Sequence, residues 1–278
     1  TFDLHHRSLA TLERREDGTY VRTLSNLRKE IFAHSDGVVS GPRKYYLSQI
    51  VDRYGHALTF HYDTYNRIEH VEDATGALTQ LHYTSTEDPW RLTKVTLPDG
   101  RSAQLAYNED GRLSNITDMA GLTSSLEYDA SDFIVKLTTP YGSTTFDQVE
   151  SGFTRQITST DPQGERQRWQ YTDDTSDGTD VSNRSTPLNR RLSRYWDRKG
   201  MQYGEGENKW AWRTNWLYTR ESMYVVSDMP ARQEGPKPTH SDAPSKIYTY
   251  EYPGQTNRFM AGDLPQPSII NDESFQYN

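Results

Sequence analysis

Four groups of residues in this chain have types and spacings that could do chemistry. His61 and His82 stand beside tyrosines on what reads as a polar strand face, and two imidazoles brought onto one surface would suit a divalent metal. Asp173-x-Thr175-x-Asp177-Gly178-x-Asp180 places oxygen donors and a bend-forming glycine in part of a calcium-loop pattern. Arg184 stands where that pattern needs a bidentate glutamate, and no helices are expected beside it. Trp210, Trp212 and Trp216 could form an aromatic platform for sugar rings or a partner surface, with 210 and 212 pointing the same way in a strand. Aspartates are plentiful enough for paired-carboxylate chemistry, but no pair is singled out. Each group also has a plainer reading: a solvated repeat face, an acidic surface loop, tryptophans packed over a sheet, and turn aspartates. Gly-x-Gly-x-x-Gly, P-loop, Gly-x-Ser-x-Gly and His-Glu-x-x-His patterns are missing from the sequence. No catalytic residue is therefore assigned, and no cofactor or metal is expected.

Composition narrows the field. Of 278 residues, 39 are acidic and 31 basic, a formal net charge of −8, which disfavours a general nucleic-acid binder. The absence of cysteine removes disulfide scaffolds, thiol nucleophiles and Cys-ligated metals. The longest apolar run is four residues, Met223 to Val226, against about 18 for a membrane span. The first residues, Thr-Phe-Asp-Leu-His-His, carry no features of a signal peptide, and the chain reads as a piece of something longer. Only 33% of residues are hydrophobic, which can mean disorder. The regular placement of 19 tyrosines against 8 phenylalanines argues for a fold.

The elements that must position these residues come from a repeat. Gly55, Gly76, Gly100, Gly121, Gly142 and Gly164 are spaced by 21, 24, 21, 21 and 22 residues. Seven residues after all but Gly142 stands a tyrosine: Tyr62, Tyr83, Tyr107, Tyr128 and Tyr171. Five residues after the same glycines stand Phe60, Leu81, Leu105, Leu126 and Trp169. The unit after Gly142 is one residue short and offers Phe146-Asp147. Upstream, the register holds Leu47, Ile68, Leu92, Leu113 and Ile134 eight residues before glycine, and Asp52, Asp73, Asp118 and Asp161 three before it, with Leu97 and Thr139 as exceptions. Ala103, Leu105 and Tyr107 share one strand face by alternation, and Asp-x-x-Gly is turn chemistry. Each unit is thus two strands and two turns. The spacing predicts an all-β antiparallel meander with no helix of convincing length.

Tyr62-Asp63, Tyr107-Asn-Glu-Asp-Gly-Arg-Leu113 and Ile116-Thr-Asp-Met-Ala-Gly121 resemble the YD repeats of Rhs (rearrangement-hotspot) proteins. The resemblance covers residues 8–172, returns near 188–200 and again over 247–278. Tyr83 and Tyr171 are followed by Thr instead of Asp, a departure confined to single turns. In Rhs proteins an Asp-Pro-x-Gly stretch closes the repeat core and is associated with aspartyl self-cleavage. Asp161-Pro162-Gln163-Gly164 has those letters, but it falls in the ordinary turn register with Trp169 and Tyr171 following on schedule.

The expected organisation is a YD-repeat sheet over 1–172, an irregular Trp-rich and Pro-rich insertion over 173–246, and resumed repeat strands over 247–278 that stop at an unpaired edge. The resemblance implies part of a curved shell or cocoon that encloses or presents a C-terminal toxin or effector. It also implies secretion or display on a bacterial cell surface. The expected partners are the rest of the shell and the effector domain. The alternative is a cell-surface module that binds carbohydrate or a protein through Trp210, Trp212 and Trp216.

Overall fold

The computed structural model describes residues 9–173, 191–220, 222–238 and 245–272. The Asp174–Asp180 part of the calcium-loop pattern, with Arg184, and the terminal Phe275-Gln-Tyr277-Asn278 lie outside the described residues.

Turn chemistry sets the strand pattern. At Asp118 the Gly121 amide donates to the Asp118 carbonyl at 3.0 Å, and the Asp118 amide donates to the Leu122 carbonyl at 2.9 Å. The Asp118 carboxylate then accepts the amides of Ala120 and Leu122 at 2.8 and 2.9 Å, and Gly121 takes φ +82. This is a tight hairpin turn whose fourth residue must sit in the left-handed region. The same side-chain pattern recurs at Asp52, Asp63, Asp73, Asp129 and Asp161. Leu97–Gly100 keeps the backbone bonds without the carboxylate. Arg15–Gly18 and Leu24–Leu27 form the same backbone turn.

The chain divides into two compact units, Thr1–Leu126 and Glu127–Asn278. The first holds β1 (Thr11–Arg14), β2 (Tyr20–Thr23), β3 (Lys29–Ser35), β4 (Tyr45–Val51), β5 (Ala57–Tyr62), β6 (Ile68–Glu72), β7 (Leu78–His82), β8 (Lys94–Thr96), β9 (Ser102–Tyr107) and β10 (Leu113–Thr117). β11 (Thr123–Tyr128) begins in this unit and pairs back onto β10. Each strand pairs antiparallel with the next along the chain. The second unit continues the pattern with β12 (Ile134–Thr139), β13 (Gly142–Ser151), β14 (Thr154–Thr160), β15 (Arg166–Asp173), β16 (Arg191–Trp196), β17 (Trp212–Thr219), β18 (Ser222–Glu234), β19 (Ile247–Glu251) and β20 (Ile269–Asp272). A short helix, Arg198–Tyr203, follows β16 and is capped by the Asp197 carboxylate on the Gly200 amide. The antiparallel meander is the architecture the repeat spacing predicts, and it runs on through the Trp-rich stretch as β17 and β18.

Burial is uneven. In the first unit Leu47, Ile50, Phe60, Ile68, Val71, Leu81 and Leu105 are only half-buried; among its described residues the fully buried hydrophobics are Ala10 and Val21. A lone sheet layer shields its side chains laterally and leaves their tips open. In the second unit other chain covers the sheet. Trp196, Met201 and Ala211 cluster under the short helix. Leu217, Met229, Tyr252 and Ala261 form another cluster, closed by backbone bonds from Tyr218 to the Phe259 carbonyl (2.8 Å) and from Ala261 to the Tyr218 carbonyl (2.7 Å).

Candidate functional site

The repeat tyrosines act through their hydroxyls. Tyr62 donates to the Leu47 carbonyl at 2.7 Å, Tyr83 to Ile68 at 3.0 Å and Tyr107 to Leu92 at 2.8 Å, each reaching back fifteen residues. Arginines from the Gly-Arg-Leu element and its equivalents cover the next ring: Arg67 lies 4.4 Å from the centre of Tyr83, and Arg91 5.5 Å from Tyr107. Burial pushes the Tyr62 and Tyr83 hydroxyl pKa values up, which keeps these groups protonated donors. Gly55, Gly76, Gly100, Gly121 and Gly164 all take positive φ at their turns. Gly142 does so against the ring of Pro162, where an added Cβ would meet the proline Cβ at 2.6 Å. Tyr128 ends β11, and Tyr171 lies in β15 opposite Arg155 and Ser193.

The two repeat-equivalent histidines find different partners. His61 stacks on His70, ring centres 4.2 Å apart, with its Nε2 3.3 Å from the Glu72 carboxylate. His82 instead pairs its Nε2 with the Thr96 hydroxyl at 2.9 Å. Among the described residues no three metal-ligating side chains gather. Asp161 has the ordinary turn role: its Oδ1 accepts the amides of Gln163 and Glu165 at 3.0 and 2.9 Å. Its Oδ2 lies 2.8 Å from Arg198.

The three tryptophans go to three places. Trp210 packs against the Trp196–Met201–Ala211 cluster, tilted on Tyr203 at 5.2 Å, and borders a cavity of about 200 Å³. Trp216 is held by its indole N–H, which donates to the Ser193 hydroxyl at 2.7 Å. Trp212 is 47% exposed and joins a different set. Cross-strand register puts Trp169 opposite Tyr195 and Tyr195 opposite Trp212, so one aromatic row crosses β15, β16 and β17 on one face. Trp169 is 44% exposed, its ring is stacked on Tyr195 at 5.2 Å, and the Tyr195 hydroxyl is tied to Gln167. Trp169 is a repeat position, but the row is invisible in sequence. Its members come from strands separated by long connections, and only the register aligns them.

This fold is a β-meander of short repeats, in which tyrosine hydroxyls tie adjacent strands at Tyr62, Tyr83 and Tyr107 and aspartate turns close hairpins at Asp52, Asp73, Asp118 and Asp161. Residues 91–118 and 107–144 match the RHS Repeat family model, so this stretch of the chain carries RHS repeats. Comparison with curated proteins finds no match. Among solved structures, the TcdB2-TccC3-Cdc42 complex is similar over 87% of this chain, at 12% identity and TM-score 0.43. The Tc holotoxin pore of Photorhabdus luminescens, carrying a TccC3 mutation, is similar over 85% at 10% identity and TM-score 0.36. The chain spans only 13% and 14% of those two chains.

Proposed function

We propose that this chain is a wall segment of a β-shell that encloses or presents a C-terminal toxin or effector polypeptide, outside a bacterial cell or at its surface. The observation that carries this reading is the repeat ladder. Tyr62, Tyr83 and Tyr107 each reach the carbonyl fifteen residues back, so each of these hairpins ties its own two strands together and the sheet extends without needing a core of its own. The half-buried apolar residues of one face, Phe60, Leu81 and Leu105 among them, then have a use as the lining of a compartment. The role is mechanical, with partners in the rest of the shell and its cargo. Limited proteolysis of the full-length polypeptide tests it: the segment after the repeats should survive protease concentrations that cut the same segment made alone. Equal cleavage overturns it.

A second reading, a carbohydrate- or protein-binding module, draws on the exposed Trp169–Tyr195–Trp212 row. Glycan titration showing saturable binding that is lost in Trp212→Ala and kept in Trp216→Ala would favour it.

A further inference from the structure

Among the described residues, two guanidinium groups share one carboxylate three times. Arg22 and Arg28 grip Glu30 at 3.0 and 2.6 Å. Arg166 and Arg168 each hold Glu205 at 2.6 Å. Arg213 and Arg232 take the two oxygens of Glu234. Beside the last stands a further arginine. Cross-strand register sets Arg194 of β16 opposite Arg213 of β17, and Arg213 opposite Glu234 of β18, so these side chains share a face. The Arg194 Nη1 donates to the Gln170 amide oxygen at 3.0 Å, and among the described residues it has no carboxylate partner. The Nε–H groups of Arg194 and Arg213 are both shut away from solvent and donate to nothing described. Burial, and next the charge of Arg213, lower the pKa of Arg194.

Like charges directly opposite on neighbouring strands are unfavourable. The chain carries a formal charge of −8, yet keeps this positive surplus on rigid strands. We propose that Arg194 and Arg213 form a binding site for one carboxylate of an acidic peptide segment. The carboxylate seats across the two guanidiniums as Glu234 seats across Arg213 and Arg232. Glu234 displays the chemistry on the same row, and paired planar forks suit a carboxylate better than point charges do. The site is a property of this chain's own strands and stands independently of the shell reading.

The test is fluorescence anisotropy of a labelled hexaglutamate peptide on the 278-residue chain at low salt, with hexalysine and inorganic phosphate as parallel probes. Hexaglutamate should bind saturably, and hexalysine should not. Arg194→Gln should weaken binding about tenfold or more, Arg194→Lys should weaken it less, and Arg166→Gln should leave it unchanged. The urea midpoint of Arg194→Gln should stay level or rise, because an uncompensated charge has been removed. Equal binding by Arg194→Gln overturns the proposal, as does a fall in its urea midpoint accompanying lost binding. Phosphate binding where hexaglutamate does not bind also overturns it, assigning the site to a free oxyanion.

Discussion

Tyrosine outnumbers phenylalanine in this chain because the repeat needs the hydroxyl as well as the ring. The Tyr83 hydroxyl bonds the Ile68 carbonyl at 3.0 Å in a half-buried setting. A net hydrogen bond contributes about 1 kcal/mol, and an abandoned buried acceptor somewhat more. Tyr83→Phe should therefore lower unfolding free energy by roughly 1 kcal/mol in urea titration, with the ring contacts retained. The tyrosine position was legible in the sequence as a periodicity, but its acceptor was not, because it lies fifteen residues back on the neighbouring strand, beyond the turn. The turn aspartates were legible in both place and role, since their partners are two and four residues away. The Asp73 carboxyl is held below the ordinary aspartate range first by the Thr75 hydroxyl and then by the Ala77 and Thr75 amides. A depressed folded-state value contributes stability above the unfolded-state value, and that contribution is lost as pH falls through the folded one. Asn108 fills the same turn position and accepts the Arg112 amide at 2.8 Å. Asp73→Asn should thus preserve stability at neutral pH better than Asp73→Ala and lose less of it on acidification below about pH 4, read from urea midpoints against pH.

At the scale of elements, the turns carry the design and the strands follow. The fourth turn position takes positive φ whether or not it is glycine. Leu27 sits there at φ +67 with its side chain 62% exposed, where a branched residue in the left-handed region costs about 1 kcal/mol. Leu27→Gly should raise stability by roughly 0.5–1 kcal/mol, measured by thermal or urea unfolding; a loss would show that the Leu27 side chain contributes more than its conformation costs. This turn shows how sequence periodicity runs out. Leu24 replaces the aspartate and Leu27 the glycine, so the backbone geometry persists after both letters that announce it have gone. The aromatic row Trp169–Tyr195–Trp212 was hidden for a related reason: strand register across long connections decides it, and local spacing does not encode that register. Trp210, Trp212 and Trp216 are near in sequence, yet a helix-side cluster, an exposed row and a hydroxyl anchor separate them.

At the scale of the whole molecule, the repeat region and the buried core occupy different places. The sequence rations apolar residues to fixed positions on one face, and in the first unit those positions remain half-buried. Full burial is concentrated in the second unit at Leu192, Trp196, Ala211, Leu217, Met229 and Tyr252. Protection against hydrogen exchange follows burial and secured hydrogen bonds, so amides of β16 and β17 should exchange slowest and those of β6 to β9 fastest. Uniform protection across both units would contradict this distribution. A sheet with half-covered apolar residues is what a wall requires if a larger assembly supplies the other side. The most direct test is to image the full-length polypeptide by single-particle electron microscopy and place residues 9–272 in the map. The shell reading predicts that these strands form part of a wall around a cavity containing further chain density. A solid packed sheet with no enclosed volume, or strands lying outside any compartment, would contradict it.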